Sequence, residues 1–150
     1  MFSIIFVILM ILNHSNLING QLINYTKCGK DLPSPTLVKL DNCDNPDMCS
    51  VNRKQPIHFG LSYKSPIDAQ QLQLNIWISI WGFWIAIRPK AVPVCGTHNI
   101  DCPIIKGESY SYNITINAPW FPQVRTKIKF LLSSGKSEPV TCLIMKIKVI

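Results

Sequence analysis

The chain has few acidic residues and almost no histidine, and these shortages narrow the chemistry that it can perform. Asp and Glu together number 8, whereas Lys and Arg number 15, which gives a formal net charge of +7. Of three histidines, only His58 and His98 lie beyond residue 20, in a predicted strand and a short loop between cysteines. No Cys-x-x-Cys, Gly-x-Ser-x-Gly or Gly-x-Gly-x-x-Gly motif is present. The sequence therefore favours no metal site, no cofactor and no enzymatic activity.

Charge is also missing from the N-terminus, where no acidic or basic side chain precedes Lys27 except His14. Residues 3–12 are apolar after Ser3, and this run is shorter than the roughly 20 residues that span a bilayer. Gly20 supplies the small residue that signal cleavage needs, although Ile18 is bulky for such a site. We expect residues 1–20 to be a signal peptide and residues 21–150 to be a single secreted domain.

A helical pattern is absent as well. Eleven prolines and the lack of a 3.6-residue apolar stripe argue against long helices. Period-two alternation predicts strands instead, with weaker strands over 36–40, 57–63 and 83–87. The alternating positions are Leu72, Leu74, Ile76, Ile78, Ile80; Tyr110, Tyr112, Ile114, Ile116; Val124, Thr126, Ile128, Phe130, Leu132; and Leu143, Met145, Ile147, Val149. About seven short strands with one apolar face each predict two antiparallel sheets packed face to face.

Six cysteines follow the apolar N-terminus, and an even number in a secreted chain indicates disulfides. Their order alone does not fix the pairing. Proximity favours two small loops, Cys43–Cys49 and Cys95–Cys102. Those pairs leave Cys28 with Cys142, which would join the start of the mature domain to its end.

The basic residues of two predicted strands form a second pattern, with two interpretations. Arg125, Lys127 and Lys129 share one phase, as do Lys146 and Lys148. If the strands are neighbours, they form a positive stripe that is either an ordinary solvated surface or a transient contact for anionic lipid headgroups. Aromatic residues do not interleave with these lysines, so a nucleic-acid partner is not expected.

The segment 76–87 is apolar on both phases, which a strand covered on one face does not need. Trp77, Trp81 and Phe83 share a phase opposite Ile76, Ile78, Ile80 and Trp84 if the alternation continues. A strand buried on both sides, or a bend at Gly82 that swaps the faces, explains this pattern structurally. The functional interpretation is the wall and rim of an apolar pocket.

The block Cys95-Gly96-Thr97-His98-Asn99-Ile100-Asp101-Cys102-Pro103-Ile104, followed by Lys106-Gly107 and Tyr110-Ser111-Tyr112, resembles the ML lipid-recognition domain. Within that family, the block resembles the Niemann-Pick type C two proteins, with the mite group-two allergens as relatives. Phe121-Pro122 and Cys142 fall where the family pattern expects them, and the resemblance covers residues 28–150. In place of a common Lys-Gly after the third cysteine stands Arg53-Lys54-Gln55.

The resemblance implies an immunoglobulin-like β-sandwich with a lipid cavity between its sheets, and the disulfide pairing that proximity favours. It implies a monomeric, non-enzymatic carrier of a sterol, fatty acid or other lipid, secreted or in the endolysosomal lumen. The entrance would lie between the segment before Cys95 and the turn after the 110–116 strand. The ligand-binding residues predicted on this basis are Phe83, Trp84, Ile85, Ile87, Tyr112, Ile114, Pro119, Trp120, Phe121 and Phe130.

The residues around Pro119 and Pro122 support this entrance without the resemblance. Trp120 and Phe121 lie between the two prolines in a predicted loop, where large aromatic side chains are costly to leave in water. We expect a lipid or a membrane to cover both; the structural alternative is that they plug the end of the sandwich.

Two further features leave alternatives open. The sequons at Asn24 and Asn113 predict glycosylation, with Asn113 on the polar phase of its strand. A second candidate function is innate immune recognition, in which the protein presents bacterial lipid to a receptor. A large exposed apolar patch would favour that function. A structural sandwich with a filled core is the third possibility.

Overall fold

The computed structural model describes residues 20–87, 91–97, 100–117 and 119–150, so the predicted signal peptide and His98 lie outside the described residues. Within those ranges the chain forms eleven strands and contains no helix long and apolar enough to cross a membrane. The strands are β1 (Gln21–Leu22), β2 (Thr26–Lys27), β3 (Leu37–Leu40), β4 (Cys49–Val51), β5 (Ile57–Lys64), β6 (Leu72–Ile80), β7 (Phe83–Ala86), β8 (Val92–Pro93), β9 (Ser109–Ile116), β10 (Arg125–Ser134) and β11 (Pro139–Val149).

The strands form two sheets, as the alternation predicted. A four-stranded sheet has the order β1-β3-β5-β9, and a seven-stranded sheet has the order β2-β11-β10-β6-β7, with β4 beside β11 and β8 beside β6. Every pairing is antiparallel except that of β4 with β11. The prediction of a sandwich of two antiparallel sheets is therefore confirmed, with one short parallel pair at an edge.

The alternating apolar residues face the interior, because successive side chains of a strand point to opposite faces. On β11, Leu143, Met145, Ile147 and Val149 are buried while Lys146 and Lys148 are exposed. The two sheets meet where Phe59 of β5 stacks on Phe130 of β10, with ring centroids 4.3 Å apart. Burial of a side chain of this size contributes roughly 1.5–3 kcal/mol.

Sequence analysis missed four short strands, β1, β2, β4 and β8, each only two or three residues long. Such segments are too short to show alternation, and all four pair at the margins of the sheets. Their place is set by long-range pairing rather than by local pattern.

Three disulfides close the fold, and their pairing is the one that proximity favoured. Cys28–Cys142 joins the segment after β2 to the middle of β11, across a sequence separation of 114. Cys43–Cys49 closes the connection between β3 and β4, and Cys95–Cys102 closes the connection after β8.

Candidate functional site

The hairpin between β6 and β7 exposes more large apolar side chains than any other element that the structure describes. Ile80 pairs with Phe83, which leaves Trp81 and Gly82 as a two-residue turn. Both turn residues have positive φ, 51° for Trp81 and 84° for Gly82, as a type I′ turn requires. Glycine adopts this conformation freely, but tryptophan does not, and the left-handed region costs an ordinary residue about 1–2 kcal/mol. Trp81 is also 95% exposed, so burial does not offset this strain.

The turn reverses the chain, and this corrects the grouping of phases expected from the sequence. Phe83 pairs with Ile80 and Ile85 with Ile78, so Phe83 and Ile85 lie on the inner phase of the seven-stranded sheet. Trp84 pairs with Ser79 and lies on the outer phase. The alternation does not continue through residues 80–83, because a two-residue hairpin places directly paired residues on the same face. The swap of faces at Gly82 is thus the explanation that the structure supports.

The inner phase of β7 is not covered by the opposite sheet. Phe83 is 74% exposed and Ile85 is half exposed, although both point towards the side on which the four-stranded sheet packs. β7 forms one edge of its sheet and β9 forms an edge of the other. The sandwich is therefore apolar and open along β7, in the region where the entrance was predicted.

Next to this open edge, the two sheets enclose an apolar cavity of about 20 Å³. Three predicted ligand-binding residues, Ile87, Phe121 and Phe130, line it. The remaining lining residues are Leu40, Val51, Ile57, Phe59, Ile116, Ile128, Met145 and Ile147. The sequence analysis did not predict them as ligand-binding, although it placed Ile116, Ile128, Met145 and Ile147 on the apolar phases of their strands, which was a usable signal. A cavity of this size has room for about one water molecule, so a lipid must displace lining side chains.

Phe121 and Trp120 have opposite environments, and the plug that was the structural alternative for both describes Phe121 alone. Trp120 is 61% exposed, as predicted for a loop aromatic, but Phe121 is only 2% exposed and reaches between the sheets. Their rings meet edge to face, with centroids 4.5 Å apart. The Arg53 guanidinium donates from Nη1 to the carbonyl oxygen of Phe121 at 3.0 Å.

The other predicted ligand-binding residues lie outside the lining of this cavity. Tyr112 is fully buried and pairs with Leu61, while Ile114 is half-buried and pairs with Phe59. Pro119 and Trp84 are exposed. The structure thus separates the predicted set into cavity residues, residues of β7 at the open edge, the β9 residues Tyr112 and Ile114, and the exposed loop residues Pro119 and Trp120.

The outer face of the seven-stranded sheet carries the basic residues. Arg125 pairs with Lys148 and Lys127 with Lys146, so the strands are neighbours and the positive stripe exists. The Lys129 ammonium lies 4.7 Å from the ring centroids of both Trp77 and Trp84. This double cation–π contact ties β10 to β6 and β7 from the outside. None of the five cations forms an ion pair with any residue that the structure describes.

Beside the stripe lies a surface groove of about 410 Å³, and it contains one of the two sequons. Lys127, Lys146 and Asp47 line the groove together with Asn24, Tyr25, Thr26 and Ile144. Asn24 is exposed and donates from Nδ2 to Asp47 at 2.6 Å. Asn113 is half-buried on β9, where it pairs with Gly60.

The titratable groups of the described residues show no arrangement typical of catalysis. Nδ1 of His58 lies 3.0 Å from the Thr115 hydroxyl on the neighbouring strand. Burial raises the pKa of Tyr63, and Tyr110 and Tyr112 raise it further. Within the described ranges, no three His, Cys, Asp or Glu side chains are grouped to hold a metal ion.

These features define a class: a disulfide-linked β-sandwich with an apolar interior and one uncovered apolar edge. The chain matches the family model of the ML domain over residues 23–149 and belongs to that family. It is 26% identical over 125 residues to the mite group 2 allergen Tyr p 2 of Tyrophagus putrescentiae, covering 82% of this chain and 83% of the allergen. It is 22% identical over 129 residues to the NPC intracellular cholesterol transporter 2 homolog a of Drosophila melanogaster, covering 85% and 87%.

Solved structures share the fold. A Niemann-Pick type C2 protein from the Japanese carpenter ant superposes with a TM-score of 0.77 at 19% identity, covering 85% of this chain and 100% of the other. Chicken MD-1, in a complex with lipid IVa, superposes with a TM-score of 0.56 at 18% identity, covering 83% and 86%. These likenesses, together with the family match, place the chain among the immunoglobulin-like ML domains.

Proposed function

We propose that the protein is a secreted, non-enzymatic lipid carrier that holds a sterol, fatty acid or similar ligand between its sheets. The observation that carries this proposal is the uncovered inner phase of β7. Phe83 and Ile85 are exposed there, while Ile87, one residue beyond the end of the same strand, lines the apolar cavity. An apolar ligand would cover these side chains continuously from the edge to the interior. The family membership and the similarity to the Drosophila cholesterol transporter homolog agree with a lipid cargo.

Binding requires movement, because the cavity volume of about 20 Å³ is far below the roughly 300–1,000 Å³ of ordinary ligand sites. β7 is an element that can move, since it pairs with β6 on one side only and lies beside the cavity. Displacing β7 or the 119–123 segment enlarges the interior without breaking the pairing of β10 with β11. Burial of ligand contributes about 25 cal/mol per Å² of apolar surface, reduced by the ligand's lost freedom.

A titration with a fluorescent fatty acid tests the proposal. We expect saturation at one site, and we expect Ile85→Ser to weaken binding about tenfold or more, since it places a hydroxyl on the entry path. Ile105→Ser is the matched control, because Ile105 is an isoleucine of similar exposure on a loop away from β7. If Ile85→Ser and Ile105→Ser bind the fatty acid with equal affinity, the ligand does not enter along β7. No uptake of sterol or fatty acid by the oxidised wild-type protein would favour a filled structural sandwich.

The basic face supports a partner for the carrier, a transient contact with an anionic membrane. The five cations of β10 and β11 lie on one face, and Arg125 begins β10 near the end where the β6–β7 turn projects. The double substitution Lys127→Glu, Lys146→Glu should abolish salt-sensitive binding to vesicles containing phosphatidylserine. Lys64→Glu with Lys106→Glu is the control of equal charge change. If both double variants lose vesicle binding equally, the binding depends on net charge alone and not on the basic face.

The second candidate function, presentation of bacterial lipid to a receptor, is favoured by the exposed apolar hairpin. Trp81, Phe83 and Ile85 form the kind of uncovered patch that a protein partner also covers. The fold is shared with MD-1, whose structure contains lipid IVa. Competition between lipid IVa and a sterol for the fluorescent probe separates the candidates, because only the immune function predicts preference for the bacterial lipid.

A further inference from the structure

Arg53 connects three distant parts of the chain next to the cavity. It follows β4, and its backbone N–H donates to the carbonyl oxygen of Ile150 at 3.1 Å. The amide of Ile150 donates in turn to Val51 at 2.9 Å, which fixes this loop against the end of the chain. From this fixed base the half-buried Arg53 side chain reaches the carbonyl oxygen of Phe121.

The segment that receives this bond has little else to hold its backbone. Pro119 and Pro122 have no N–H to donate. Among the residues that the structure describes, no other hydrogen bond joins the backbone of 119–123 to the rest of the fold. Trp120, the neighbour of Phe121, lies mostly in water. The position of Phe121 therefore depends on the packing of its own ring and on the bond from Arg53.

We propose that Arg53 is a positioning residue that controls the rate at which lipid enters and leaves, by holding Phe121 in the cavity as a plug. This inference rests on the proposed lipid-carrier function. A ligand that enlarges the cavity must move Phe121, because its ring is one of the lining side chains and 2% exposed. Movement of the ring pulls on the carbonyl that Arg53 holds.

Arginine suits this role because its guanidinium presents several donors in a fixed plane, whereas a lysine ammonium is a compact and strongly hydrated charge. Arg53 has no ion pair with any described residue, so its side chain is committed to the loop carbonyl. In this proposal the bond breaks only while Phe121 swings aside and forms again once the ligand has passed, so its loss lowers the barrier to opening for entry and for exit alike. Both rates therefore rise together, while the equilibrium affinity changes little.

Stopped-flow kinetics with a fluorescent fatty acid test the inference. In Arg53→Gln we expect the association and dissociation rates to rise about tenfold to a hundredfold, the effect of losing a hydrogen bond to a charged group. Arg53→Lys should show a smaller increase. Lys54→Gln is the control, since Lys54 is the adjacent exposed cation and its backbone N–H, rather than its side chain, bonds to Asn52.

Two results would overturn the inference in distinguishable ways. If the wild-type protein binds fatty acid but the rates of Arg53→Gln and wild type agree within about twofold, the bond does not limit exchange and the carrier function still stands. If the wild-type protein takes up no fatty acid or sterol, the carrier function fails and the role of Arg53 in exchange fails with it.

Discussion

Truncation of Phe121 separates a plug between the sheets from an exposed entrance residue. The ring is 2% exposed and lines the cavity with Phe59 and Phe130. Replacing a buried phenylalanine by alanine costs about 3–5 kcal/mol, the lost transfer free energy plus the cavity that remains. A domain of this size has a free energy of unfolding of about 5–15 kcal/mol, so Phe121→Ala should fold but with much reduced stability.

Trp120→Ala is the matched comparison, because the two aromatic residues are adjacent and both lie between Pro119 and Pro122. Trp120 is 61% exposed, and its removal forfeits mainly the edge-to-face contact with Phe121. Such a contact contributes about 0.5–1.5 kcal/mol. We therefore expect Phe121→Ala to cost about 2–4 kcal/mol more than Trp120→Ala.

Urea unfolding of the oxidised proteins measures how much stability each substitution removes. The same measurement with excess fatty acid shows how much of that stability the ligand restores. The enlarged cavity of Phe121→Ala should accept ligand, and a ligand at about 100 times its Kd restores about 2.7 kcal/mol. Equal costs of about 1 kcal/mol or less for both variants would refute the placement of Phe121 between the sheets. A large cost without recovery by any lipid would make Phe121 a core residue with no part in binding.

Three further outcomes follow from single contacts. Trp81→Asn should raise the free energy of unfolding by about 1 kcal/mol, because asparagine tolerates positive φ and removing the exposed indole sacrifices little packing. A decrease would mean that the indole packs against the protein in solution. Tyr63→Phe should stabilise by about 1 kcal/mol, since the buried hydroxyl has no hydrogen-bond partner among the described residues. Above pH ~10 the Tyr63 hydroxyl ionises in the unfolded state, while its raised pKa keeps it neutral in the folded state, so the free energy of unfolding of the wild type falls with rising pH. This fall should be shallower in Tyr63→Phe. Equal pH dependence of the two proteins would contradict this. A glycan on Asn24 would occupy the groove beside Lys127 and Lys146, so the glycosylated form should bind anionic vesicles more weakly than Asn24→Gln, measured by sedimentation; equal binding would show that the groove is not part of the contact.

The sequence predicted the parts of the fold that a local pattern encodes. On β11 the alternation from Leu143 to Val149 shows which face is buried, because a period of two matches the pleat. The neighbouring basic stripes proved to be paired, Arg125 with Lys148. Close spacing also favoured the Cys43–Cys49 pair, since a short loop loses little entropy on closure.

The candidate site was less predictable, because its geometry arises from turns and from long-range packing. The reversal at Trp81 and Gly82 moved Phe83 to the other phase, and a tryptophan at positive φ is not a pattern that propensity anticipates. Likewise, the burial of Phe121 has no signal in a loop between prolines. Its environment is set by Arg53, 68 residues earlier, and by side chains from both sheets.

The uncovered hairpin and the basic face lie at the same end of the seven-stranded sheet. We expect them to have different effects on the proposed membrane contact. β10 begins at Arg125 where antiparallel β6 ends, and the Thr126 hydroxyl donates to the carbonyl of Ser79 next to the turn. Charges act over a Debye length of about 8–10 Å, so in the proposed membrane contact we expect the basic face to set how often the protein meets an anionic surface. The indole of Trp81 acts only on contact, and we expect it to set how long the encounter lasts. Charge reversal on β10 and β11 should therefore lower the association rate with vesicles, whereas Trp81→Asn should raise the dissociation rate.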